Sequence, residues 1–229
     1  MCRQLGMHLP AVVGAGMITE RYNGDGRYRG TPVSTAYFSR SYVPGTASDK
    51  VPPRKFRNAA YAQRFARLMG EAAAIDMVVG RASSETGENL FDSNYEVVQC
   101  GADALPERIA VTDHAGSFND YMRSFEQMVA PYARAAVRRK DFVVSFDRFA
   151  SEYVAGFKEA LAGAQKNYRT SRSAFDSLFS SRPFDTAGSG AYRWAKTLER
   201  LDESNPDAVA ARLEEAIASQ CAAAGKKDA

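Results

Sequence analysis

A chain of 229 residues, 45% hydrophobic and 25% charged, is long enough to bury a sizeable core and too apolar to be disordered throughout. The net charge of +3 and a pI near 8.7 are mild, which argues against a chain devoted to nucleic acid. Three cysteines, Cys2, Cys100 and Cys221, are far apart and odd in number, fitting a reducing intracellular compartment better than a disulfide-stapled secreted fold, with room for one bridge.

The first nineteen residues hold Arg3 and no acid, and they include the longest apolar run, Leu9 to Ile18. That run is too short to cross a bilayer, so no transmembrane segment is expected and any membrane association would be peripheral. The segment has a faint look of a targeting leader; a buried strand or a weak amphipathic insertion is the simpler expectation. Within it, Gly14 and Gly16 follow two valines in the manner of a dinucleotide-binding turn. Such a turn needs a third glycine and an immediate helix whose amides meet the pyrophosphate. Thr19 stands where the glycine should be, and the residues that follow are rich in Gly, Tyr and Arg and cannot form that helix. No cofactor is expected.

From Thr19 to Arg57 no hydrophobic period survives, and eight bases face three acids. Most of the positive charge lies here, leaving residues 58–229 net acidic. Aromatic residues recur along this stretch, and Tyr and Arg are the residues that anchor interfaces. Residues 1–57 are accordingly read as an extended aromatic and basic arm. Its partner-binding candidates are Arg21, Tyr22, Arg27, Tyr28, Arg29, Tyr37, Phe38, Arg40, Tyr42 and Phe56. The partner is read as another protein, with nucleic acid as the alternative and an arm folded on its own domain as the plain one.

Residues 58–229 read as a helical domain. Asn58 caps a helix near 58–79 with Tyr61, Phe65, Leu68, Met69, Ala72, Ile75 and Val79 inward, Gln63, Arg64, Arg67 and Glu71 outward, and Gly80 as its stop. Tyr95, Val97 and Val98 make the best strand candidate, with Ile109 to Val111 as a short partner. Most of the thirteen phenylalanines then fall between Ser117 and Ser181. A helix near 117–138 places Met128, Val129, Tyr132 and Ala136 on one face, and Pro131 is expected to bend or divide it at Ala130. A second, near 141–180, carries Phe149, Tyr153, Phe157, Leu161, Ala164 and Tyr168 at steps of three and four. Such an aromatic stripe reads as core rather than as the wall of a quinone, haem or lipid pocket. After the break at 182–190, helices are expected near 191–202 and 206–222. Ser204 or Asn205 caps the last of these, and Pro206 occupies its first turn.

The fold class is therefore mainly α: a multi-helix body with a long irregular N-terminal arm and at most one short β-hairpin. Chemistry is sparse. Cys100, His114 and Ser117 with Asp113 can be drawn as a nucleophile and base, but adjacent Asp113 and His114 do not meet the geometry of a triad. No Cys or His pair stands at metal-ligand spacing. No catalytic, cofactor or metal residue is nominated. The expectation is a non-catalytic structural or accessory subunit of a large multi-protein assembly, with a mitochondrial or other organellar energy-converting complex as its setting. A ribosome-type nucleic-acid-associated protein is the alternative, and a small enzyme with a Cys/His or nucleotide site is third.

Overall fold

The computed structural model describes residues 12–21, 32–40, 45–81, 94–101, 104–112, 125–137, 146–174, 195, 197–202 and 204–225. They fall into two units, residues 10–44 and the remainder. In the first, strand β1 (Val12–Arg21) runs antiparallel to β2 (Pro32–Arg40), with Arg21 opposite Pro32, Ile18 opposite Thr35 and a register shift between Val12 and Gly14. In the second, β3 (Thr46–Ala47), β4 (Tyr95–Val98) and β5 (Arg108–Val111) form a three-stranded antiparallel sheet. Helices supply most of the rest: α1 (Ala59–Val78), α2 (Phe125–Val137), α3 (Phe146–Thr170) and α4 (Pro206–Gly225), with a further helical segment at 197–202.

The body is mainly α as expected, with one small three-stranded antiparallel sheet beside the helices. Residues 12–21 and 32–40 are extended and paired. The stretch after Gly45 packs with the helices. Two 3-10 turns, Ser48–Lys50 and Pro53–Arg57, carry Val51 and Phe56 into the core. Phe56 is fully buried and meets Phe65 edge to face at 5.0 Å between ring centroids. The boundary drawn at residue 57 therefore moves back, and Gly45–Arg57 belongs with the helical body.

Helix α1 is the centre of this body. Asn58 starts it as expected, its Oδ1 accepting from the amides of Ala60 at 3.0 Å and Tyr61 at 3.3 Å. Gly80, at φ 62°, ends it. The Gly80 amide donates to the Met77 carbonyl at 3.2 Å and the Arg81 amide to that of Asp76 at 2.8 Å, the paired bonds of a left-handed helix stop. The outward face foreseen for α1 is only half exposed. Arg64 donates to the Pro106 and Glu107 carbonyls, and Arg67 reaches Glu152 and Glu159 on α3. The Ala-rich stretch from Ala72 to Val79 is buried on every side.

On α3, Phe149, Tyr153, Phe157, Leu161, Ala164 and Tyr168 are all buried, so the aromatic stripe is core. It lies against α1 so closely that Gly70 and Gly156 meet the opposite backbone. Helix α2 packs chiefly on α4, and α4 also on α3. Helix α2 continues through Pro131 rather than dividing at Ala130. Losing one backbone bond and tolerating the ring costs about 3 kcal/mol in a helix interior. Burial of Met128, Val129 and Tyr132 from the flanking turns offsets it, since each large apolar side chain contributes roughly 1.5–3 kcal/mol. Asn205 caps α4 through Oδ1, accepting from the amides of Asp207 at 2.9 Å and Ala208 at 3.2 Å. Val209, Leu213 and Ile217 are its inner face. Among the described residues, no helix is long and apolar enough to cross a membrane.

Candidate functional site: a basic cleft at the start of α1

A half-open cleft of about 650 Å³ lies where the 3-10 turns lead into α1 and meet the end of β4. Its size is that of a small-ligand pocket. The two turns place Lys50, Arg54 and Lys55 on its wall, α1 contributes Asn58 and Tyr61, and the residue after β4 contributes Gln99. The local sequence explains the arrangement. Prolines at 52 and 53 fix the backbone between the turns, while Val51 and Phe56 are pinned in the core. Arg54 and Lys55 between these anchors, and Lys50 just before the first, are left to line the cleft.

Lys55 is the best held of the three. Its ammonium donates to Gln99 Oε1 at 3.0 Å and lies 5.2 Å from the centre of the Tyr61 ring. Gln99 is oriented in turn, its Nε2 donating to the Gly101 carbonyl at 2.7 Å. The Tyr61 hydroxyl donates to the same Oε1 at 3.5 Å, and burial pushes its pKa up to about 12. Lys50 and Arg54 are exposed. No carboxylate is among the described lining residues, so three positive charges share one concavity. Of the side-chain acceptors here, Gln99 Oε1 takes Lys55 and Tyr61, and Asn58 Oδ1 takes two α1 amides. What the wall offers outward is chiefly donors.

A second polar group lies inside the body at the other end of α1. Asp76, Arg81 and Tyr95 are almost wholly buried. The Arg81 guanidinium donates to Asp76 Oδ2 at 3.3 Å and to the Tyr95 hydroxyl, and that hydroxyl donates to Asp76 Oδ2. The guanidinium carbon also lies 4.7 Å from the centre of the Tyr95 ring. These three groups satisfy one another away from the cleft, the pattern of a structural network.

Burial pushes the hydroxyls of Tyr95 and Tyr153 up as well, with the Asp76 carboxylate adding to it in both. A tyrosine whose folded pKa lies above its unfolded value of about 10 lends stability that is whole below pH 10 and is lost as pH climbs through the folded value. For Tyr61 that window is about pH 10 to 12, worth roughly 3 kcal/mol when fully crossed. Alkaline unfolding should therefore set in above pH 10. In a titration followed at the tyrosinate absorbance, Tyr61→Phe should move its midpoint to higher pH; an unmoved midpoint would contradict the assignment.

Of the residues nominated from the sequence, Arg21 ends β1, while Tyr37, Phe38 and Arg40 lie on β2, opposite Gly16, Ala15 and Val12. Phe56 is in the core. Tyr22, Arg27, Tyr28, Arg29 and Tyr42 lie outside the described residues, as do His114 and Ser117. Cys100 is exposed, and its hydrogen bond to Glu107 holds the thiol above its ordinary pKa. A nucleophilic thiolate requires the opposite. Among the described residues no three His, Cys, Asp or Glu side chains are grouped to hold a metal ion.

No protein-family model, curated protein or solved structure matches the chain. The geometry has to carry the functional reading.

The cleft went unnoticed in the sequence because its residues come from an aperiodic stretch, a helix start and a strand end. The available signal was Lys50, Arg54, Lys55 and Arg57 crowded around Pro52 and Pro53, a rigid basic turn just ahead of a capped helix.

Proposed function

We propose that the protein is a non-catalytic accessory subunit of a larger protein assembly and that the basic cleft is one of the surfaces by which it holds a neighbour. The observation that carries this reading is the convergence of Lys50, Arg54 and Lys55 on a concave wall with no carboxylate among its described residues. Like charges brought together this way repel, and an anionic group of a partner relieves the repulsion while its approach is accelerated by the field. Arg21, Tyr37, Phe38 and Arg40 of the N-terminal hairpin are further contact candidates in the same reading. We take the compartment to be a reducing one, an organellar energy-converting complex being the setting we favour. Cys100 and Cys221 form no disulfide, which is compatible with it.

Nucleic acid would also be drawn to these cations. Single strands, however, are held largely by bases stacked on exposed aromatic faces. Among the described residues lining the cleft the one aromatic, Tyr61, is only 4% exposed. This favours a protein partner.

The test is a triple charge reversal, Lys50→Glu with Arg54→Glu and Lys55→Glu, compared with the unaltered protein by native mass spectrometry of material isolated from its source. The unaltered chain should retain protein neighbours and the variant should lose them, both showing the same helical circular dichroism and the same cooperative melting. Neighbours retained in full by a folded variant would sink the proposal. Retention on nucleic acid that falls steeply with salt would move it to the alternative.

A further inference from the structure

Resting on that reading of the cleft, we propose that the group it receives is a phosphomonoester, borne on a serine or threonine of the partner protein, so that docking is switched on by phosphorylation. Three features point there. First, the charge matches: a single carboxylate would balance only one of the exposed cations Lys50 and Arg54, whereas a phosphorylated side chain brings about −1.5 to −2 near neutral pH. Second, the chemistry is that of donors. Lys50 and Lys55 supply ammonium groups and Arg54 a planar fork suited to two oxygens at once. With its Oδ1 engaged by the α1 amides, Asn58 keeps its side-chain nitrogen as a further donor. Three phosphate oxygens can use all four. Third, the best-placed cation is already fixed. Lys55 is held by Gln99 Oε1 and by the face of Tyr61, and Gln99 is fixed by the Gly101 carbonyl. Little ordering is then left to the moment of binding. The cleft is half open and also lined by Val51, Pro52 and Ala104, so a stretch of chain can lie across it with the phosphate inward.

The pH response gives the proposal a signature. No histidine or carboxylate is among the described lining residues, and the second ionisation of the phosphate falls near pH 6. The probes are pentapeptides, acetyl-Ala-Ala-Xaa-Ala-Ala-amide, with phosphoserine, serine or glutamate at Xaa, together with inorganic phosphate, titrated calorimetrically into the full chain. The phosphoserine peptide should bind one to one and gain affinity from pH 5 to 7. The glutamate peptide should be weaker by roughly tenfold or more, in keeping with the strength of doubly charged, bidentate pairing. Arg54→Gln and Lys55→Gln should each weaken the phosphoserine peptide by about tenfold, and Arg57→Gln, from the same turn but outside the described lining, should leave it unchanged.

Equal binding of the glutamate peptide, or a flat profile from pH 5 to 7, would overturn the switch. Inorganic phosphate bound as tightly as the phosphopeptide would overturn the assignment to a partner chain in favour of a free phosphorylated small molecule. If the charge-reversed protein loses its neighbours yet no phosphopeptide preference is found, docking stands and the phosphate falls. If its neighbours stay, both fall.

Discussion

Gly70→Ala is expected to destabilise the protein by about 3 kcal/mol or more, at the upper end of the cost of overfilling a packed interior. A Cβ at Gly70 would lie 1.9 Å from the Tyr153 carbonyl oxygen, and one at Gly156 would lie 2.1 Å from that of Arg67. In both places the obstacle is backbone, which no side-chain rotation can clear. The two helices would have to move apart, loosening contacts along their shared length. Gly156→Ala should cost a similar amount. Gly163 on the same helix provides the control, because among the described residues nothing lies within 4 Å of the place its Cβ would take. There the intrinsic preference of a helix for alanine over glycine should show as a gain of up to about 1 kcal/mol. Urea unfolding followed by far-ultraviolet circular dichroism measures all three. A Gly70→Ala protein within 1 kcal/mol of the parent, a margin well below the expected cost, would mean that α1 and α3 are not in backbone contact.

Arg81→Met should be of comparable size, costing about 3–5 kcal/mol, because it takes the buried guanidinium away from the Asp76 carboxylate. The deficit should shrink as pH falls, since a buried carboxyl deprived of its cation takes up a proton. Adding Asp76→Leu should recover most of the loss, since replacing a buried ion pair by apolar groups of similar volume is often neutral or better. The double-mutant cycle thus separates the value of the pair from the cost of breaking it. Equal stability of Arg81→Met and the parent across pH 5–8 would show that Asp76 has water or another cation to turn to. Tyr95→Phe removes one donor from the same carboxylate and should cost about 1–3 kcal/mol.

The helical faces were legible because burial follows a period that the sequence displays. Phe149 to Tyr168 on α3, Val209 to Ile217 on α4, and the Asn58 cap could be read from spacing and local hydrogen-bonding chemistry alone. What was hidden depends on partners distant along the chain. Gly70 and Gly156 gain their meaning only from the backbone opposite each. Asp76 sits in an otherwise apolar run, and only Arg81 and Tyr95, from beyond the helix stop and from β4, explain why it is tolerated there. Phe56 lies in a stretch without period, so its place in the core left no trace in the pattern. Strand β3 is two residues long and had no alternation to show. The cleft was hidden for the same reason, since Gln99, which fixes Lys55, comes from a different element.

Arg200 donates to the Val78 carbonyl at 3.3 Å, across 122 positions of sequence, and its guanidinium lies over Gly80. The last turn of α1 is thus completed by a side chain that leaves the ribosome long after the helix itself. During synthesis α1 and α3 can meet first, whereas α2 must wait for α4, its principal neighbour. A chain cut short before residue 200 would present an unfinished helix end and an uncovered apolar face, the marks by which chaperones and proteases recognise incomplete products.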